Sequence, residues 1–391
     1  MAPSASVVTT FEEDGDEFYK VIVQDTEMII PRRYQNLQII GFGAQGMVCS
    51  ATDTACSSEN GRHVAIKKLL SPFRDYVFAK RAYRELTLMN ALRHPNVIRL
   101  YNTFTPQKDI EHFRDYYLVM ELMDGQLRQA TSLDMEVVSY LLYQLLCGLK
   151  YLQSGGILHR DLKPSNIGVK RDCTLRIMDF GIARRLRPSL RHSPYVQQRF
   201  YRAPEIILGM DYDEKGRFIS FDIWSVGCIL AELFSGHILF PGIGIFDQWG
   251  KIIEKLGTPS FEFMRRLKLN VRMYVQNTRR YDGVKFDMLF PDRYFPPNGE
   301  HPDHSASCAR DLLSKMLVID PRERISIQEA LQHPYVNQWY NEQEANVAAP
   351  QLPHDYEDEE DFTVEEWKRL TFDALNSYES EHDIFGPEVS P

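Results

Sequence analysis

No apolar run in this chain reaches the ~20 residues that a membrane-spanning helix needs, so no segment is expected to cross a bilayer. Positive charge is not in surplus either. Lys and Arg number 45 against 54 Asp and Glu, a net charge of −9. That balance argues against a general nucleic-acid or anionic-membrane binder and leaves room only for a local basic site. The six cysteines (Cys49, Cys56, Cys147, Cys173, Cys228 and Cys308) are scattered, with no C-x-x-C pair. They read as inert thiols of a reducing compartment, so cytoplasm or nucleus is expected. The opening M-A-P-S-A-S-V-V-T-T-F-E-E-D-G-D lacks the basic start and apolar core of a secretory signal. Internal repeats and long low-complexity tracts are absent as well.

What remains is an ordinary globular composition, 43% hydrophobic and 25% charged, over 391 residues. At ~100–200 residues per domain, two packed units are expected. The chain is organised around Ile157 to Gly181, which reads I-L-H-R-D-L-K-P-S-N-I-G-V-K-R-D-C-T-L-R-I-M-D-F-G. Asp161, Lys163, Asn166 and Asp179 stand there between short strand-like runs. Such a set suits proton acceptance, phosphate neutralisation and binding of a hard cation through oxygen.

Upstream, a β-type run enters Gly41-x-Gly43-x-x-Gly46. Alone this pattern is weak, because it also fits a dinucleotide turn. That turn would open a helix. Here Val48 and its neighbours read as strand, then a polar turn (Ser57 to Gly61), then a second strand, His63 to Lys68. Strand–loop–strand suits a phosphate-covering flap, in which glycine lets backbone N–H groups approach without a Cβ clash. The second strand carries Val64-Ala65-Ile66-Lys67. Ala79 to Leu92 has apolar residues at helical spacing and bears Glu85, the expected partner of Lys67.

Two strand-like runs follow, Val97 to Phe104 and Tyr116 to Leu122. The second breaks into Asp124-Gly125, a unit boundary near 121–125. Val137 to Gln153 and Asp222 to Phe234 are apolar nearly all round and read as buried helices. Between them, Ile182 to Arg202 is a basic, non-periodic loop of a length that usually means function; it ends at Ala203-Pro204-Glu205. Gln248 to Leu256, Cys308 to Val318 and Ser326 to Leu331 read as further helices. Thr363-Val364-Glu365-Glu366 is a capping box that opens a last helix to about Tyr378.

Together, G-x-G-x-x-G-x-V, V-A-I-K, a helix Glu, H-R-D-L-K-P-S-N, D-F-G and A-P-E resemble the protein-kinase signature set. Ser193-Pro194-Tyr195 in the loop, and the long segment near 247–292, resemble a mitogen-activated protein (MAP) kinase. R-Y-Q-N-L (Arg33 to Leu37), A-K-R-A-Y-R-E-L (Ala79 to Leu86), V-M-E-L-M-D (Val119 to Asp124) and D-L-L-S-K-M-L-V-I-D (Asp311 to Asp320) resemble the c-Jun N-terminal kinase group. The resemblance runs from about Phe18 to Tyr378.

It implies an α+β, bilobal protein-kinase fold. A flexible N-terminus (1–17) would precede a β-rich N-lobe (18–120) and a hinge (121–125). A mainly helical C-lobe (126–336) and a strap and helix (337–391) that packs back would follow. It implies ATP and Mg²⁺ as cofactors, and an ion pair between Glu205 and Arg324. Gly41, Gly43, Gly46, Val48, Ala65, Lys67, Met120, Glu121, Met123, Ser165 and Asn166 would bind the nucleotide, and Asn166 and Asp179 the metal. Asp161 would accept the substrate proton, Lys163 would neutralise the γ-phosphate, and Glu85 would aim Lys67 at the α- and β-phosphates. Ser193 and Tyr195 would be activation phosphosites, read by Arg81, Arg84, Arg160, Arg184, Arg199 and Arg202.

The implied activity is proline-directed Ser/Thr phosphorylation in a stress-signalling cascade. An upstream dual-specificity MAP kinase kinase would activate the chain, and substrates would carry Ser-Pro or Thr-Pro, as transcription factors do. Phosphatases and scaffolds would use a modified docking groove, with no direct nucleic acid and no membrane. The chain departs from the family's pattern at Ser193, where Thr is usual, and at Gln198, where such kinases generally have Thr. The 127–137 region is short, and the acids after Trp339-Tyr340 are reduced to Glu342 and Glu344. The alternative reading is a pseudokinase or scaffold without phosphotransfer.

Overall fold

The computed structural model describes residues 9–11, 17–43, 46–56, 61–130, 133–185, 199–210, 220–295, 302–350 and 362–387. The chain divides into two units: 1–93, 98–123 and 354–391 form the first, 94–97 and 124–353 the second.

The first unit is built on two antiparallel sheets. Strands β1 (Thr9–Phe11), β2 (Phe18–Val23) and β3 (Thr26–Pro31) form one. Strand β1 pairs with β2 from Thr9↔Ile22 to Phe11↔Lys20, a pairing that the acidic opening stretch gave no sign of. The larger sheet contains β4 (Tyr34–Gly43), β5 (Gly46–Asp53), β6 (Arg62–Leu69), β7 (Leu100–Phe104) and β8 (Tyr117–Glu121), in the order β4-β5-β6-β8-β7. Alternation along the strands sends Met47, Cys49, Val64, Ile66, Tyr117 and Val119 into a core shared with Val21, Met28 and Ile30 of the smaller sheet. Helix α1 (Tyr76–Ala91) starts where the Asp75 carboxylate caps the Phe78 amide at 3.0 Å. The last helix, Val364–Glu381, opens on the expected box, with the Thr363 and Glu366 side chains each accepting from the other's backbone amide. It packs along α1.

The second unit holds the short strands β9 (Gly125–Gln126), β10 (Ile157–Leu158), β11 (Ile167–Val169), β12 (Leu175–Ile177) and β13 (Arg184–Arg185). They form a three-stranded sheet, β12-β11-β9, and the pair β10-β13. Around them lie α2 (Met135–Ser154), α3 (Pro204–Ile207), α4 (Phe221–Ser235) and α5 (Ile245–Leu256). The segment after α5 is itself helical in short pieces, α6 (Phe261–Arg265), α7 (Leu269–Asn277) and α8 (Phe286–Leu289). Helices α9 (Ala306–Met316), α10 (Ile327–Leu331), α11 (Pro334–Asn337) and α12 (Glu342–Ala345) complete the unit. Helices α2 and α4 are buried along most of their length, as their all-round apolar sequences require. The result is an α+β fold with a β-sheet N-lobe and a helical C-lobe. No described helix is long and apolar enough to cross a membrane.

Candidate active site

In the first unit, the chain leaves Gly46 as strand β5, in register with β4 from Gly41↔Val48 to Gly43↔Gly46. The strand continuing past the glycines excludes a dinucleotide turn. Gly46 has a packing reason as well. A Cβ there would lie 2.3 Å from the Lys68 carbonyl oxygen, so any side chain would push β5 off β6.

Register then gathers the residues expected to hold a nucleotide. Val48 stands opposite Lys67, Ala65 opposite Met120, and Lys67 opposite Leu118. Directly opposed residues share a face, and so do residues two apart. Val48, Ala65, Lys67 and Met120 therefore line one face of this sheet. Lys67 and Glu85 form an ion pair, with the Glu85 carboxylate almost fully buried. The Glu121 amide donates to the Arg99 carbonyl (3.1 Å), so an adenine-edge role for its backbone falls to the carbonyl. Met123 is half-buried just beyond β8, and Arg81 and Arg84 ride on α1.

In the second unit, Asp161 is held by two neighbours. Lys163 Nζ lies 2.6 Å from Asp161 Oδ2. Asn166 Nδ2 donates to the Asp161 carbonyl (2.9 Å) and to Oδ2 (3.0 Å). These contacts turn the Asn166 side-chain oxygen away from Asp161. Asn166 enters the β11–β12 hairpin and Asp179 leaves it, and the Met178 amide donates to the Asn166 carbonyl (2.9 Å). Both acids and the amide thus sit at one end of a single hairpin, with Ser165 in the turn before it. Asn166 and Asp179 supply hard oxygen donors, a set that fits Mg²⁺. The Phe180 ring is buried edge-on against His159, with centroids 5.4 Å apart.

His159 has a definite proton arrangement. Its Nδ1 faces the Asp161 amide (3.3 Å), an obligate donor, so Nε2 carries the proton and donates to the Met178 carbonyl (3.0 Å). The imidazole ties the segment between β12 and Asp179 to the loop bearing Asp161.

Asp222 is the site residue that sequence reasoning missed. Buried in the first turn of α4, it accepts the His159 amide at 3.0 Å and the Arg160 amide at 3.1 Å. Arg160 is left-handed, with φ 69°. A non-glycine residue in that region is strained, and Asp222 supplies the compensation. Burial pushes its carboxyl above the usual carboxylate range, opposed by His159 and the two amides. The one signal available was a carboxylate at the start of an otherwise apolar buried helix.

The arginines divide between the units. Pairing of β10 with β13 sets Arg184 opposite Leu158, two residues before Arg160. Arg199 Nη1 donates to the Ile243 carbonyl at 2.8 Å. Arg202 carries a buried Nη2 with no hydrogen-bond partner among the described residues. Burial, then Arg199, pull its pKa below the usual guanidinium value, while Asp161 opposes them. Ser193, Tyr195 and Gln198 lie outside the described residues. The Glu205–Arg324 pair forms as expected, Nη1 to Oε1 at 2.8 Å and Nη2 to Oε2 at 2.9 Å, with both side chains fully buried.

This geometry has counterparts among known proteins. Residues 34–336 match the protein kinase domain, and the chain belongs to that family. Within it, the relationship is to the JNK group of MAP kinases. The chain is 54% identical over 368 residues to the stress-activated protein kinase JNK of Drosophila melanogaster, covering 93% of this chain and 96% of the relative. It is thus a serine/threonine protein kinase, an enzyme class that uses ATP with Mg²⁺.

Proposed function

We propose that the chain transfers the γ-phosphoryl group of ATP to Ser or Thr followed by Pro, in a JNK-type stress cascade, and that phosphorylation of Ser193 and Tyr195 switches it on. Support comes above all from the Asp161–Lys163–Asn166 cluster. In-line transfer needs a hydroxyl oriented toward an acceptor carboxylate and a cation beside the migrating phosphoryl group. Asp161 takes the first role and Lys163 the second. Asn166 and Asp179 would hold Mg²⁺, which would supply charge neutralisation at the phosphate oxygens. Lys67, aimed by Glu85, contacts the α- and β-phosphates. The glycine flap, Val48, Ala65 and Met120 enclose the nucleotide, the Glu121 carbonyl and the Met123 backbone meet the adenine edge, and Ser165 lies beside the phosphates.

Phosphates on the loop would be read by Arg81, Arg84, Arg160 and Arg184 at Ser193, and by Arg199 and Arg202 at Tyr195. Each phosphate brings about −1.5 to −2 charges. The Nη2 of Arg202, buried and with no hydrogen-bond partner among the described residues, supports this, since a buried donor gains most from an incoming anion. Proline after the target serine has no N–H, so a pocket that offers no acceptor loses nothing by taking it. The upstream activator would be a dual-specificity MAP kinase kinase, and the substrates proteins with Ser-Pro or Thr-Pro sites, in cytoplasm and nucleus. Partner docking would depart from the group's norm. Of the two acids after Tyr340, Glu344 already accepts from the Tyr143 hydroxyl at 3.1 Å.

The deciding experiment activates the protein with such an upstream kinase and offers a Ser-Pro/Thr-Pro peptide library with ATP–Mg²⁺. Transfer should occur, and Asp161→Ala and Lys67→Ala should each abolish it. Ser193→Ala and Tyr195→Phe should each lower the rate, and full activity in the double variant would refute the switch. The scaffold alternative rests on Gln198. It wins if the folded, phosphorylated protein binds ATP–Mg²⁺ and transfers nothing.

A further inference from the structure

The segment after the last helix, His382 to Gly386, is fastened into the first unit by contacts of three kinds. Ile384 is 2% exposed and belongs to the core that joins the two sheets. Its carbonyl accepts from Asn102 Nδ2 at 2.9 Å and from Arg33 Nη1 at 3.4 Å, and Arg33 also donates to the Gly386 carbonyl. The Phe385 ring meets Phe18 of β2 edge-on at 5.2 Å. Arg33 is preset for this task, because Asp53 grips its other edge through Nε and Nη2, each at 2.8 Å. The result is a clip closing the far end of the last helix.

That helix in turn bears on α1. Trp367 lies 5.5 Å from the Tyr83 ring and under Lys80, and Phe372 packs on Phe113. Tyr378 donates to the Tyr101 carbonyl of β7 at 3.3 Å. Glu85, the partner of Lys67, is two residues from Tyr83 on α1.

We propose that the Arg33–Asn102–Ile384–Phe385 clip is a positioning element for the phosphate-binding lysine: by fixing the end of the last helix it holds α1, and with it Glu85, against Lys67. This rests on the reading of Lys67 and Glu85 given above. Opening the clip frees the rod that buttresses α1, so the Lys67–Glu85 pair is made in a smaller fraction of molecules. Nucleotide affinity then falls by that fraction. Turnover at saturating ATP changes less.

The test uses the full-length, loop-phosphorylated protein carrying Ile384→Asp or the milder Phe385→Ala. ATP is varied in the assay, and hydrogen exchange is followed across 76–91. The KM for ATP should rise roughly tenfold, the size of an ordinary intersite coupling, and the α1 amides should exchange faster. Ile384→Val should restore both. A lowered melting temperature with ATP KM and α1 exchange unchanged would mean that the clip merely stabilises the fold, and would overturn the proposal. Should Ile384→Asp fail to fold, Phe385→Ala decides on the same readouts. Glu85→Gln separates the two layers. If it leaves ATP KM unchanged, the Lys67–Glu85 reading fails; if it raises KM while the clip variants do not, only the clip fails.

Discussion

Asp222 holds Arg160 in a left-handed conformation by accepting its backbone amide at 3.1 Å, while its other oxygen takes the neighbouring His159 amide at 3.0 Å. One buried carboxylate thus sets the path of the backbone immediately before Asp161. Asp222→Asn keeps the shape but turns one acceptor into a donor facing an N–H. Losing one such bond costs about 1–3 kcal/mol. Turnover should fall by roughly ten- to a hundredfold with ATP KM nearly unchanged, because the strands proposed to enclose the nucleotide are untouched. Steady-state kinetics with ATP and peptide varied separately would check this.

Glu205 and Arg324 form a bidentate pair with neither side chain exposed, and the guanidinium lies 5.2 Å from the Trp224 ring centroid. Removing one partner strands the other charge in the interior. Arg324→Met should therefore destabilise the protein by about 3–5 kcal/mol. The double variant Arg324→Met/Glu205→Leu should recover much of that loss, since a matched apolar pair carries no orphan charge. Urea denaturation of the three proteins is the measurement, and a double variant no more stable than the single one would count against it.

His94 offers a pH signature. Its Nδ1 accepts the Asn96 amide at 3.0 Å, and the ring stacks on Tyr151 at 4.7 Å. Burial lowers its pKa to about 4, against 6.5 ordinarily, with Arg176 adding to the shift and Glu344 opposing it. Between those two values the unfolded chain binds a proton that the folded chain excludes. This residue's contribution is thus fully present above 6.5, is lost as pH falls, and levels off below about 4. His94→Asn should flatten the decline in melting temperature between pH 6.5 and 4 relative to the parent chain. An unchanged slope would contradict it.

The candidate site was legible in the sequence because its residues are close along the chain. Asp161, Lys163 and Asn166 fall within one turn and its flanks, and local spacing brings them together. Helices with strong periodicity were legible to within a few residues. The one read as Ala79 to Leu92 spans Tyr76–Ala91, starting earlier because Asp75 caps it. The last helix, read to Tyr378, runs to Glu381. Helices α6 to α8 were missed, because pieces of four to nine residues show too few turns for periodicity. The grip of Asp222 on Arg160, 62 residues away, has no local signature at all. Neither has the fastening of Ile384 to Asn102, 282 residues apart. Both depend on which distant segment the fold brings alongside.

The most direct measurement takes loop-phosphorylated protein and times phosphate transfer from ATP–Mg²⁺ to two peptides that differ only in Ser-Pro against Ser-Ala, beside the Asp161→Ala variant. The account predicts transfer to the Ser-Pro peptide, much slower transfer to Ser-Ala, and a loss of at least ~10²–10⁴-fold in Asp161→Ala with ATP binding retained. Equal rates on the two peptides, or no transfer by folded, phosphorylated, ATP-binding protein, would contradict it.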